Sequence, residues 1–207
     1  MKTTHFDVGA NAVVQLGENL YKNTYGVLIE YITNSYDADA SFVKINIDRI
    51  KGTVIIEDDG IGMTLDELED NFLKVGNNRR KKYTAKTTDK GRLVTGRKGF
   101  GKLACFGLFK SFKVDTYKNN QKSTLIVTSK LNEDDEFEYE ALIDEESTPI
   151  QHSNGTIIYL SENTSEIVDN ESLSESIAKR LNIMYDGTAT DPIGFKIFLE
   201  DYEINQS

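Results

Sequence analysis

The sequence predicts an α+β protein, a two-layer sandwich in which helices cover one face of a mixed, largely antiparallel sheet. Two patterns lead to this prediction. Up to about residue 109, apolar residues recur in turn at the spacing of helices and of short strands. Beyond that point, several strand patterns joined by polar turns are followed by one amphipathic helix. Helices and strands that are segregated along a chain in this way form α+β folds.

The first half of the chain contains several helices and two adjacent strands. Leu28, Ile29 and Ile32 belong to a stretch with helical spacing, and Thr64 is a suitable N-cap for a helix that starts at residue 65. Alternation in FVKINIDRI and the apolar run in TVIIEDD favour strands. The predicted elements are helices over 11–21, 24–40 and 65–75, strands over 42–50 and 53–59, and a helix that begins within 99–109.

The second half of the chain consists of strands and one helix. The strands are predicted within 111–118, 123–131, 136–143 and 155–162, and the helix over 172–185. A last pair of short strands over 194–204 ends abruptly. We therefore expect residues 1–193 to form one domain and residues 194–207 to begin a following one.

The composition excludes several classes of site. The single cysteine, Cys105, excludes an internal disulfide and any site made of several cysteines, and its apolar neighbours favour a core residue over a nucleophile. The two histidines, His5 and His152, leave no histidine-rich zinc site. The sequence has no apolar run of about 18 residues and no signal-peptide pattern at its N-terminus. We expect a cytoplasmic protein with no membrane partner.

Charge is distributed unevenly along the chain. The net charge is −10, yet residues 74–102 hold 11 Lys and Arg against one acid, Asp89. Residues 133–146 hold nine acids and no Lys or Arg. The acidic total argues against nucleic-acid binding as the main activity. The basic stretch is predicted as a long loop, which is either solvated or in contact with a ligand, a partner or nucleic acid.

Three polar side chains share one face of the predicted helix over 24–40. Glu30, Asn34 and Asp37 stand at i, i+4 and i+7. Because polar groups at the edge of an apolar helix are costly to bury unpaired, these three either line a ligand site or form a solvated face. An Asn carbonyl oxygen can bind Mg²⁺, and a Glu one turn earlier can accept a proton from a water molecule that attacks a phosphate.

Two glycine-rich motifs add further candidate residues. In EDDGIGM, Asp58 ends a predicted strand and can accept a hydrogen bond from an amine, while Gly60 and Gly62 allow a sharp turn and the close approach of a flat ligand. An ordinary strand-to-helix turn is the alternative. In GRKGFGK, glycine amides at a helix N-terminus suit phosphate, and Lys98 and Lys102 add positive charge. Neither a Walker A loop nor a dinucleotide-binding fingerprint fits these residues.

Together with NGTIIYL, these motifs resemble in their order and spacing the GHKL ATPase superfamily, which comprises gyrase B, the heat-shock chaperone ATPases, histidine kinases and MutL. The resemblance covers about residues 25–160 and implies ATP and Mg²⁺ as ligands. It implies Glu30 as the general base, Asn34 as the Mg²⁺ ligand, Asp58 as the acceptor for the adenine amino group and Thr156 as a support for Asp58. The full set of candidate nucleotide-binding residues adds Asp37, Gly60, Gly62, Met63, Asn71, Gly76, Gly96, Lys98, Gly99, Phe100, Gly101 and Lys102.

The resemblance also gives the basic stretch a role. Residues 74–102 would form a lid over the triphosphate, with Gly76 at its opening and the glycines of GRKGFGK at its far end. Eleven cations exceed the need of one nucleotide, so part of them is expected to contact nucleic acid or a partner subunit. The candidates for this contact are Arg79, Arg80, Lys81 and Lys82. The motifs look most like those of MORC-type prokaryotic ATPases, which are linked to DNA management or phage defence, although the residues after Gly76 depart from that subgroup's lid.

The resemblance implies an Mg²⁺-dependent ATPase domain of a larger multidomain protein. Such a domain would close its lid, dimerise with nucleotide and hydrolyse weakly in isolation. Three alternatives stay open: a non-hydrolysing ATP-sensing switch, a histidine-kinase-type phosphotransferase and a nucleic-acid-binding module. Glu30 counts against the phosphotransferase, because the equivalent turn of histidine kinases commonly lacks that carboxylate.

Overall fold

One nine-stranded sheet and three helices make up the described part of the chain. The computed structural model describes residues 2–5, 24–72, 87–94, 105, 108–131, 137–145, 152–163, 167, 169–184 and 194–204. In chain order, the elements are β1 (Lys2–His5), α1 (Thr24–Asp37), β2 (Phe42–Asp48), β3 (Thr53–Asp58), α2 (Leu65–Phe72), β4 (Phe109–Lys118), β5 (Gln121–Leu131), β6 (Phe137–Glu145), β7 (Gly155–Asn163), α3 (Asn170–Met184), β8 (Lys196–Leu199) and β9 (Tyr202–Glu203).

The strand order of the sheet is β1-β6-β5-β4-β7-β3-β2-β8-β9. β8 pairs with β2 in parallel, and the other neighbours are antiparallel. The predicted fold class, helices on a mixed and largely antiparallel sheet, is therefore confirmed. Because β7 inserts between β3 and β4, the end of β3 meets the start of β7, far along the chain. This crossing places Asp58 opposite Thr156.

One face of the sheet is buried under the helices. In the register, Ile45 of β2 stands opposite Ile56 of β3, and Ile56 stands opposite Ile158 of β7. The side-chain period of two then places alternate residues of every strand on this face. Tyr31 of α1, Leu68 of α2 and Leu173 of α3 are buried in the same core cluster. The helices thus exclude water from one side of the sheet.

Cys105 belongs to this core. It is buried, and burial raises the pKa of its thiol to about 12, against a hydrogen bond with Tyr31 that lowers it. A thiol that is neutral and inaccessible is a small core side chain, as predicted, and no nucleophile.

The element boundaries differ from the predictions in a few places. α1 ends at Asp37, because Asp39 adopts the left-handed conformation with φ +58°. The helix predicted to begin within 99–109 does not continue beyond that stretch, since β4 begins at Phe109. Most of residues 99–109 lie outside the described residues. β1 was not predicted from the sequence. Thr64 caps α2 as expected, in a reciprocal pair of hydrogen bonds with Glu67.

The last two strands complete the same sheet. The sequence led us to expect residues 194–207 to begin a following domain. In the structure, β8 runs beside β2 and buries Ile197 and Leu199 in the core. β9 then pairs with β8 as the second arm of a hairpin. In the part of the chain that the structure describes, no helix is long and apolar enough to cross a membrane.

Candidate functional site

The carboxylate of Asp58 is the centre of the candidate site. It ends β3 on the face that the helices cover. Gly60 N–H donates to its Oδ1 at 2.9 Å, and Ser35 Oγ lies 2.8 Å from its Oδ2. Burial raises the pKa of Asp58 to about 6, although hydrogen bonds from Gly60, Ser35 and the backbone of Thr156 lower it. A carboxylate offers about four acceptor sites, so these three hydrogen bonds leave Asp58 with acceptor capacity for a ligand.

Ser35 links this carboxylate to α1. Its Oγ lies 2.8 Å from Asp58 Oδ2 and 3.1 Å from Tyr31 O. A hydroxyl has one proton and two lone pairs. It can therefore donate to the ionised Asp58, or accept from the protonated one while donating to Tyr31. Ser35 was not among the residues predicted from the sequence. Its signal was a serine on the apolar face of the helix, one turn after Tyr31.

The turn after Asp58 packs against the C-terminal end of α1. Ile61 N–H donates to Ala38 O at 2.9 Å. A Cβ at Gly60 would lie 2.9 Å from both Ala38 Cβ and Ala38 O. The oxygen Oδ1 of Asp59 accepts from the N–H groups of Ser41 and Phe42. Asp59 therefore has a structural role, because its carboxylate holds the start of β2. This role differs from that of Asp58.

Gly62 is fixed by two independent constraints. Its φ is +64°, which L side chains rarely adopt, and a Cβ there would collide with the carbonyl oxygen of Tyr117. The turn therefore approaches the end of β4 as closely as a glycine permits. The prediction that Gly60 and Gly62 allow a tight turn beside Asp58 agrees with this geometry.

Two threonines join the turn to the sheet. Met63 N–H donates to Thr116 Oγ1 at 2.9 Å, and Thr116 Oγ1 lies 3.2 Å from both Gly155 O and Thr156 Oγ1. Thr116 is fully buried and Thr156 is nearly so. Thr156 thus lies beside Asp58 in the register and contributes a backbone hydrogen bond to it. Thr116 was not among the residues predicted from the sequence, and its signal was a hydroxyl on the buried face of β4, after Phe112 and Val114.

The three polar residues of the helix face all lie on α1. Glu30 and Asp37 are half-buried, whereas Asn34 is exposed. Ser35, the neighbour of Asn34, reaches Asp58, so this helix passes directly beside the carboxylate. Within the described ranges, no group of three or more His, Cys, Asp and Glu side chains is arranged to hold a metal ion.

Several candidate residues lie outside the described residues, and their roles stay predictions. These are Gly76, Gly96, Lys98, Gly99, Phe100, Gly101 and Lys102, together with Arg79, Arg80, Lys81 and Lys82. Asn71 belongs to the last turn of α2, although its side chain is not described.

The middle of the basic stretch is folded against α1. Residues 87–94 form a turn closed by a bridge between Thr87 and Leu93. Arg92 is 5% exposed, and its Nη1 donates to Tyr36 O at 3.2 Å and to Ala40 O at 2.7 Å. Part of the basic stretch therefore serves the protein itself rather than solvent or a ligand.

Comparison with known proteins gave two findings. The sequence model of the family described as "Histidine kinase-, DNA gyrase B-, and HSP90-like ATPase" matches residues 21–156, which include every described candidate residue. The chain is also similar to "Putative type II restriction enzyme HgiDII" of Herpetosiphon aurantiacus, at 35% identity over 117 residues. That similarity covers 56% of this chain and spans 18% of the relative's own length.

Proposed function

The chain belongs to the family of histidine kinase-, DNA gyrase B- and HSP90-like ATPases, and from this premise we propose that it binds ATP beside Asp58 and hydrolyses it with Glu30 as the general base. The observation that carries the proposal is the Asp58 carboxylate, which is largely removed from water yet keeps free acceptor capacity. A buried acceptor of this kind gains most from a ligand that donates a hydrogen bond to it.

The surroundings of Asp58 fit an adenine base. The exocyclic amino group of adenine is a hydrogen-bond donor to the carboxylate, and Gly60 and Gly62 allow the turn to pack closely against α1 and β4 beside that carboxylate. Thr116 and Thr156 fix the other side of the turn through buried hydroxyl groups. In this proposal, Met63 and Asp37 line the pocket, and Asn71 is a further nucleotide-binding residue.

The helix face of α1 suits the chemistry at the other end of the nucleotide. Glu30 accepts a proton from the water molecule that attacks the γ-phosphorus. Asn34 offers an exposed carboxamide oxygen, a ligand type that Mg²⁺ accepts together with water and phosphate oxygens. When bound, Mg²⁺ would offset the charge of the phosphates.

The phosphates are assigned to the glycine-rich motif. We propose that the backbone amides of Gly96, Gly99, Phe100 and Gly101 hold the terminal phosphates, with Lys98 and Lys102 adding positive charge. Gly76 marks the other end of the proposed lid over 74–102.

Binding is tested by calorimetry with ATP and with adenosine, with and without Mg²⁺. Asp58→Asn replaces an acceptor oxygen by a donor amide, so it should weaken both ligands by roughly tenfold to a hundredfold. The matched control is Asp201→Asn, which makes the same change at an exposed carboxylate paired with Lys44. Equal affinities for the wild-type protein and Asp58→Asn would contradict the assignment of the base pocket.

Hydrolysis is tested by phosphate release. Glu30→Gln should keep ATP affinity and lower the turnover rate about a hundredfold or more, the scale of one general base. Glu175→Gln, at an exposed position of α3, is the control. A wild-type chain that binds ATP without turnover would instead favour the non-hydrolysing switch. A stable protein-bound phosphate would favour the phosphotransferase.

A second proposal concerns the biological setting. The relative from Herpetosiphon aurantiacus carries the name of a restriction enzyme, and the matched part is a small share of it. We propose that this ATPase unit works within a larger assembly for DNA management or phage defence and forms a homodimer with nucleotide. Light scattering with and without ATP tests the dimer. Salt-dependent DNA binding, lost when Arg79, Arg80, Lys81 and Lys82 become Ala, tests contact with nucleic acid.

A further inference from the structure

We propose that Arg92 is a positioning residue, which holds the Asp58–Gly62 turn in place through the C-terminal end of α1. The consequence for nucleotide binding rests on the function proposed above, whereas the positioning itself does not. Sequence reasoning grouped Arg92 with the cations of a phosphate-covering lid. The described contacts give it a different task.

The end of α1 lacks two features that usually stabilise a helix C-terminus, a basic residue in the last turn and a glycine at the left-handed position. Its last turn holds no basic residue, and the acids Asp37 and Asp39 lie at the negative end of the helix dipole. Asp39 N–H bonds Tyr36 O and Ala40 N–H bonds Ser35 O, which is the Schellman pattern. Asp39 occupies the left-handed position where glycine is usual, at a cost of roughly 1–2 kcal/mol. Contacts from other parts of the chain must therefore offset the energetic cost of this arrangement.

Residues 87–94 supply those contacts. The Asp39 carboxylate accepts from Thr88 Oγ1 and from Lys90 N–H, the second at 3.1 Å. Lys90 Nζ donates to Asp39 O at 2.7 Å. This explains why an aspartate stands where a glycine would be less strained, since its side chain is the attachment point. The positive charge that α1 lacks in its own last turn comes from Lys90 and Arg92.

Arg92 is the most deeply buried cation of the attachment. Its guanidinium carbon lies 4.8 Å from the ring centre of Tyr36 and 5.4 Å from that of Phe195. Burial of a charge is costly unless it is paired and hydrogen-bonded. Here the carbonyl groups of Tyr36 and Ala40, at the negative end of the helix, and two aromatic rings provide the partners. An arginine held in this way is committed to the protein rather than to a phosphate.

The same helix end holds the turn that carries Asp58. Ala38 lies midway between the two residues whose carbonyls accept from Arg92, and Ala38 O accepts from Ile61 N–H. Without the guanidinium, the carbonyl groups of Tyr36 and Ala40 lose the donor that they share, and the chain reversal from residue 36 to residue 40 is no longer held by it. The Ala38 carbonyl then loses its fixed direction, and so does the turn that depends on it.

The test compares Arg92→Met with Arg49→Met in the ligand-free protein. Methionine keeps most of the unbranched stem of the side chain and removes the guanidinium with its donors. Arg49 is exposed and donates to Asn170, so it is a matched control. Amide hydrogen exchange at Ile61 should accelerate about tenfold in Arg92→Met, the equivalent of 1.4 kcal/mol. It should stay unchanged in Arg49→Met. If Arg92→Met does not fold, Arg92→Lys replaces it, with a smaller acceleration expected.

Amide hydrogen exchange in β5 and β6 distinguishes a positioning role of Arg92 from a contribution to global stability. These strands lie away from α1's end, and their amides should keep the wild-type rate in Arg92→Met. Equal acceleration there and at Ile61 would mean that Arg92 only adds to global stability. An unchanged rate at Ile61 would also overturn the proposal. Both results are independent of whether the protein binds nucleotide.

Nucleotide binding provides the second arm. If Arg92 acts through the Asp58–Gly62 turn, Arg92→Met should weaken adenosine and ATP by the same factor. Weakened ATP with unchanged adenosine would show a phosphate contact and overturn the proposal. If the wild-type protein binds neither ligand, the function proposed above fails, while the exchange at Ile61 still decides the role of Arg92.

Discussion

At the scale of single residues, the surroundings of Asp58 oppose its ionisation. Burial raises its pKa from the usual 3.8 to about 6, because the hydrogen bonds from Gly60, Ser35 and Thr156 offset only part of the lost hydration. A ligand that donates to the carboxylate would lower this pKa again. Ionisation of Asp58 at neutral pH therefore removes stability that the folded state has when this residue is protonated.

The stability of the wild-type protein should fall, relative to Asp58→Asn, as the pH rises from about 4 to 7. Between pH 3.8 and about 6, the folded state holds a proton on Asp58 that the unfolded state has lost. The stability that this protonated Asp58 contributes is therefore fully present below pH 3.8 and is lost above about pH 6. The full change is on the order of 3 kcal/mol. Denaturant unfolding of both proteins across this pH range measures the difference.

Asp48→Asn is the control, because the pH dependence of stability that Asp48 contributes should have the opposite sign. Backbone hydrogen bonds from Lys51 and Ile50 lower the pKa of Asp48. Its contribution to wild-type stability is therefore present above its unfolded pKa and lost as the pH falls. A wild-type advantage over Asp58→Asn that grows with pH would contradict the assigned surroundings of Asp58.

At the scale of elements, the site depends on how a turn meets a strand. The segment from Gly60 to Met63 touches the end of α1 on one side and the end of β4 on the other. No single element contains the site. α1 contributes Ser35 and β3 contributes Asp58. The end of β4 contributes Thr116, which pairs with Thr156 near the start of β7.

Gly62→Ala should destabilise the fold more than Gly91→Ala. Both glycines have positive φ, +64° and +80°, so both substitutions carry backbone strain of roughly 1–2 kcal/mol. A Cβ at Gly91 meets nothing within 4 Å, whereas one at Gly62 collides with the Tyr117 carbonyl. Thermal unfolding of the two variants measures the difference. Equal losses would show that the turn can move away from β4 without cost.

At the scale of the whole molecule, the core encloses groups that report on its integrity. Cys105 is buried against Tyr31 of α1, in the same cluster as the inner face of the sheet. Because the sequence contains a single cysteine, its reactivity can be followed without substitution.

Labelling of Cys105 by a chromogenic disulfide reagent should follow unfolding of the protein. The buried thiol has a pKa of about 12, so the reactive thiolate is scarce in the folded state and the reagent has no access. As denaturant is added, the labelling rate should rise in parallel with the unfolded fraction seen by circular dichroism. Immediate labelling in buffer would mean that the thiol is not part of the core.

The sequence by itself determined the class of fold, most of the helices and strands, and the residue types of the site. Periodicity marks which face of an element is apolar, and a strand that ends in Asp58-Asp59-Gly60 marks a turn, because both signals are local. The family resemblance, drawn from four such motifs, was confirmed by the family match over residues 21–156.

Tertiary structure alone decided which distant residues meet. The insertion of β7 between β3 and β4 brings Thr116 and Thr156 to the Asp58 turn, and the parallel pairing of β8 with β2 adds residues 196–199 to the sheet. Burial of Arg92 at the end of α1 could not be predicted either, since one cation among the 11 of residues 74–102 gives no sign of its partners. These features depend on strand order and on the removal of water, which a local pattern does not encode.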